Sequence, residues 1–109
     1  KKQFEIFNKV KKNKLKFTVI NADSILQNPN KTINKLCNIL NIRFTKKMIF
    51  WPKGKRKTDG IWSKIWYKNV EQSNTFKKFK NEKIFVPKKY RKIYDESLEY
   101  YNEMNQYSI

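Results

Sequence analysis

A chain of 109 residues suits one small domain, and 26 Lys and Arg against 9 Asp and Glu leave a formal charge of +17, enough to attract phosphates, nucleic acids or anionic membranes. The absence of His excludes a zinc site of the usual kind and a Ser-His-Asp triad within these residues. Cys37 stands alone, cannot close an internal disulfide and fits a reducing, cytoplasmic setting, and no apolar run long enough for a membrane span or a secretory signal is visible.

Phe4, Phe7 and Val10 recur at helical spacing and predict an amphipathic helix over Lys2 to Asn13, with Ile6 off the stripe. Leu15, Phe17 and Val19 then alternate with Lys16 and Thr18 and run into Ile20, the pattern of a strand over about 15–21. Asn21 to Gln27 reads as a connector. Asn28 can cap the next helix, and Pro29 suits its first position. From Asn30 to Asn41, Ile33, Leu36, Cys37 and Leu40 form the apolar stripe of a helix packed on one face. Asn41 is a suitable stop, and Thr45 can cap a short helix that Pro52 ends.

Both glycines lie in the next stretch, Lys53 to Gly60, together with Lys53, Lys55, Arg56 and Lys57 and no apolar anchor, so an exposed loop is expected. Ile61 to Val70 resumes a helical pattern, with Trp62, Ile65, Trp66 and Val70 on one side. Pairs of aromatics at this spacing more often pack into a core than offer a platform to a base, so Trp66 is assigned to the core. Phe76, Phe79, Ile84 and Phe85 are expected to anchor an irregular wrap. A last helix follows Pro87, with Tyr90, Ile93, Tyr94, Leu98 and Tyr101 in register and Asp95, Glu96, Glu99 and Glu103 along it. These acids lie far in sequence from the basic loop, which predicts a charge-polarised molecule.

The string Val19 to Pro29, with Ile33, Leu36-Cys37, Leu40-Asn41-Ile42 and Phe44 after it, resembles the late strand-and-helix unit of sulfotransferases. Asp23 takes the place of that unit's acid, although a capping or turn role also accounts for it. Asn41 replaces a glycine. Met48 to Gly54, Asp59 to Trp62, Trp66-Tyr67 and Ser73 to Phe76 are similar to a bacterial sulfotransferase-like branch of the P-loop superfamily. The resemblance implies an α/β fold of three layers, of which this segment would be a C-terminal fragment, mostly helical with the one strand at about 15–21. It also implies 3′-phosphoadenosine 5′-phosphosulfate as sulfuryl donor, an unidentified hydroxyl or amine acceptor, and a P-loop and catalytic residues outside these 109 positions.

Within the segment, Arg56-Lys57-Thr58-Asp59-Gly60-Ile61-Trp62 looks like a shortened form of the family's loop over the donor's 3′-phosphate. The implied donor-binding set is Arg56, Lys57, Gly60 and Trp62, with Lys53 and Lys55 beside them. A guanidinium offers paired N–H bonds to phosphate, glycine admits a close approach, and tryptophan stacks on adenine. No metal ligand set and no catalytic residue is assigned here. Two other readings stay open: a basic nucleic-acid-binding module, and a sulfotransferase-like domain that binds a partner without catalysis.

Overall fold

The computed structural model describes residues 1–109 and resolves two compact units, one formed by Lys1–Ala22 with Lys80–Ile109, the other by Asp23–Phe79. In the first, α1 (Lys2–Lys12) packs against α6 (Arg91–Asn105). The apolar stripe of α1 explains the pairing, because Phe7 points into the contact at 6% exposure whereas Ile6, off the stripe, is 63% exposed. Phe7 meets Phe17 and Tyr107 edge-on, at ring-centroid distances of 5.5 and 5.3 Å, and Phe4 stacks on Tyr100 at 4.5 Å. Lys11 lies over the Tyr107 ring at 4.8 Å, and its neighbour Tyr107 raises its pKa above the ordinary lysine value.

The face of α6 that packs differs from the expected one. Tyr94, Tyr100 and Met104 are half-buried, whereas Tyr90, Ile93, Leu98 and Tyr101 of the expected stripe are exposed. The stacking of Tyr100 on Phe4 selects this rotation. Tyr101 instead accepts a hydrogen bond from Asn21 Nδ2 at 2.7 Å, and the same amide donates to Asn105 at 2.8 Å.

The strand expected over 15–21 shrinks to one parallel bridge between Val19 and Ser108, supported by the Ile109 N–H bond to the Val19 carbonyl at 3.1 Å. Alternating side chains suit a pleated surface, but a strand exists only through a ladder, and Ser108 lies just beyond the end of α6, where no extended partner runs alongside. The chain is therefore helical with almost no strand, and it contains no sheet layer.

In the second unit, the supposed connector forms a short helix, α2 (Ala22–Gln27), with Asp23 in its first turn, where a carboxylate is electrostatically favoured. α3 (Pro29–Ile39) starts as expected: the Asn28 side chain accepts from the Lys31 N–H at 3.0 Å and proline occupies the first turn. Buried Thr32 donates its hydroxyl to the Ser24 carbonyl at 2.9 Å, tying α3 to α2. Cys37 is buried as a small hydrophobe, 3.7 Å from Met48 Sδ. The expected cap at Thr45 leads into a 3-10 turn, Lys46–Met48, without a side-chain cap bond.

Both long early helices end in the same way. Asn41 (φ 54°) and Lys14 (φ 53°) are left-handed, and each precedes a residue whose N–H reaches back to the last turn, Ile42 to Cys37 at 2.8 Å and Leu15 to Val10 at 3.1 Å. This paired-bond termination favours glycine, tolerates asparagine and strains lysine. Lys14→Gly is accordingly expected to stabilise the chain by about 1 kcal/mol, read as a higher urea midpoint at unchanged slope.

Candidate functional site: the basic loop of the second unit

The six implied donor-binding residues all fall on one loop whose ends are fastened. Phe50 and Thr75 form an antiparallel bridge, the Trp51 N–H bonds to the Asn74 carbonyl at 3.0 Å, and the Gly54 N–H bonds to the Glu71 carbonyl at 2.7 Å. Trp51 secures the neck: its ring meets Phe76 edge-on at 5.3 Å, and its indole N–H donates at 3.1 Å to Ser73, whose hydroxyl returns to the Val70 carbonyl at 2.8 Å. Trp51 is half-buried there. Sequence patterning gave no hint of Glu71, whose Oε1 is buried in this neck without a hydrogen-bond partner in the protein.

Beyond the neck, Lys53, Lys55, Arg56 and Lys57 are exposed and none of them forms an ion pair; the ion pairs of the chain are Lys2–Glu5, Lys11–Glu103 and Arg91–Asp95. Half-buried Asp59 accepts from the Arg56 N–H at 3.0 Å, while its own N–H returns to the Arg56 carbonyl at 3.1 Å. A closed turn results, with an aspartate holding its backbone and the Arg56 and Lys57 side chains left in solvent.

The two glycines differ. Gly54 adopts φ 109°, a conformation closed to side-chain-bearing residues, so the turn at the neck requires it. Gly60 has no left-handed backbone, and a Cβ built on it meets nothing within 4 Å. Folding therefore does not demand glycine at position 60. Open backbone beside unpaired cations fits the approach of an anionic ligand.

The helix expected over Ile61 to Val70 breaks into two single turns, α4 (Ser63–Trp66) and α5 (Lys68–Glu71), and its apolar side does not pack. Ile61, Trp62, Ile65 and Trp66 are 81, 66, 66 and 74% exposed, which overturns the assignment of Trp66 to a core. Spacing identifies a common face but not what lies opposite it. Trp62 is thus open to a ligand, 6.3 Å from Trp66 between ring centroids.

No helix is long and apolar enough to cross a membrane. Residues 7–107 match the family model described as sulfotransferase domain. Two proteins of Arabidopsis thaliana are similar: branched-chain-amino-acid aminotransferase-like protein 1, 34% identical over 77% of this chain, and branched-chain-amino-acid aminotransferase-like protein 2, 34% identical over 53%. The matched stretch is 15% of the first protein's length and 10% of the second's. No solved structure matches. With all but a few terminal residues covered by the family model, the chain belongs to the sulfotransferase-domain family.

Proposed function

We propose that this segment is the C-terminal portion of a sulfotransferase-like domain and closes over the 3′-phosphate of a 3′-phosphoadenosine 5′-phosphosulfate donor. Its phosphosulfate loop and catalytic groups then lie on other parts of the protein. The acceptor is a small molecule with a hydroxyl or amine. This reading follows the family match over residues 7–107 and not the aminotransferase-like names of the two relatives, because the shared stretch is a small part of each of them.

The observation that carries the proposal is the fastened loop with four unpaired cations, a turn pinned by Asp59 and a glycine at position 60 that folding does not require. Arg56 and Lys57 would hold phosphate oxygens, Lys53 and Lys55 would add positive potential, Gly60 would admit the ligand close to the backbone, and Trp62 would cover the adenine. The donor supplies an activated sulfuryl group. The residues here bind and orient it, and they move no proton.

Calorimetric titration of the protein with 3′-phosphoadenosine 5′-phosphate and with adenosine 5′-phosphate tests the reading. Selectivity for the 3′-phosphate that survives added salt is expected. Equal affinity for the two, collapsing steeply with salt, would favour non-specific polyanion binding instead. In the same titration Asp59→Asn, which keeps an acceptor for the Arg56 N–H and removes a negative charge from the turn, is expected to tighten binding by about threefold at low salt. An unchanged affinity would place the phosphate away from this turn.

A further inference from the structure

The turn from Arg56 to Asp59 is closed by two bonds of different kinds. One runs within the backbone, from the Asp59 N–H to the Arg56 carbonyl at 3.1 Å. The other uses the Asp59 side chain, whose Oδ2 accepts the Arg56 N–H at 3.0 Å. The backbone bond defines the turn by itself, so the carboxylate can leave without opening it.

What the carboxylate binds is informative. Asp59 is the sole acid between Lys53 and Val70, and Lys55, Arg56 and Lys57 lie close to it in sequence, yet it forms no ion pair with any of them. It sits on a backbone N–H instead. Carboxylate and phosphate oxygens are both anionic acceptors for such donors, at similar distances. The neighbouring N–H groups of Lys57, Thr58 and Gly60 donate to no protein atom. One donor of this run is therefore held by an internal anion while those beside it stay open.

We propose that the Asp59 carboxylate stands in for phosphate: it occupies the Arg56 N–H while the loop is empty, and the donor's 3′-phosphate displaces it and takes that N–H as a further ligand. The inference rests on the donor reading above and adds to it an internal competitor that lowers the affinity of the turn for any phosphate. No covalent bond changes. A hydrogen bond to carboxylate is exchanged for one to phosphate, and the half-buried carboxylate turns to solvent. Left in place it would repel the incoming dianion, so its departure also carries negative charge away from the site.

The test is titration of the full chain, Asp59→Asn and Asp59→Ala with inorganic pyrophosphate and with 3′-phosphoadenosine 5′-phosphate, at low and at high salt. Both variants lose the charge, but asparagine keeps an acceptor on the Arg56 N–H and alanine frees it. Asp59→Ala is expected to bind either ligand at least about threefold more tightly than Asp59→Asn, a difference that persists at high salt, where the charge effect is screened. A carboxylate that only stiffens the turn gives the opposite order. That order, equal affinities, or no binding of pyrophosphate by any of the three would overturn the proposal. The wild-type chain supplies a measurement that needs no variant: in NMR spectra, pyrophosphate is expected to shift the Asp59 carboxylate carbon and the Arg56 amide together, and a carboxylate carbon that stays in place while the amide moves would overturn the proposal as well. If the wild type binds pyrophosphate but shows no preference for the 3′-phosphate, the donor reading fails alone, because the order of the variants with pyrophosphate still decides the role of Asp59.

Discussion

Phe7→Ala is expected to destabilise the unit formed by Lys1–Ala22 and Lys80–Ile109 by about 3–5 kcal/mol and to lower the helical signal of α1 and α6 at 25 °C. The buried hydrophobic residues are Phe7, Cys37 and Ile49, and Phe7 is the one aromatic among them. It is the ring on which Phe4, Phe17 and Tyr107 converge, and through them α1, the extended stretch after it and the C-terminal end are held together. Truncation removes the ring and leaves a void that exposed neighbours cannot fill without losing their own contacts. Native domains have only about 5–15 kcal/mol of net stability, so the loss takes up a large part of it. Ile6→Ala, on the neighbouring but solvent-facing position, is expected to change stability by less than about 0.5 kcal/mol. Urea unfolding followed by circular dichroism distinguishes them, and equal effects would mean that the aromatic cluster does not hold this unit.

The contrast between Phe7 and Ile6 also shows what the sequence makes legible. α1 and α3 were readable because their stabilising signals are local: a 3.6-residue stripe, an Asn-Pro start, and an asparagine able to turn left-handed. Elements that depend on a distant partner were not. The alternation over 15–21 describes a surface suited to a sheet, and the partner it finds is the single residue Ser108. The Ile61 to Val70 stripe likewise specifies a face without specifying a neighbour, and the face is exposed. On α6 the stripe was displaced because Phe4 draws in Tyr100, a contact between residues nearly a chain length apart. For the candidate site, the exposed basic loop and its glycines were readable from composition, whereas the Asp59 turn and the Gly54–Glu71 fastening depend on backbone geometry that no residue pattern encodes.

The difference between the two glycines turns the donor proposal into a sharp experiment. Arg56→Ala with Lys57→Ala is expected to weaken 3′-phosphoadenosine 5′-phosphate binding at least about tenfold, since a charge-assisted phosphate contact contributes roughly 1.5–3 kcal/mol. Loss of two positive charges from a strongly basic protein would alone weaken any polyanion, so this variant needs a neutral companion. Gly60→Ala supplies one: it changes no charge, its new methyl meets no protein atom, and its backbone is not left-handed. Its thermal midpoint is expected to hold or rise slightly, because alanine restricts the unfolded chain more than glycine does. A nucleotide that approaches the backbone at position 60 collides with that methyl, and its affinity falls while affinity for a simple polyphosphate does not. Loss in both variants, with the fold intact, fits a shaped phosphate site. Loss in the Arg56/Lys57 variant alone would reduce the loop to a source of positive potential, and loss in neither would remove it from donor binding altogether.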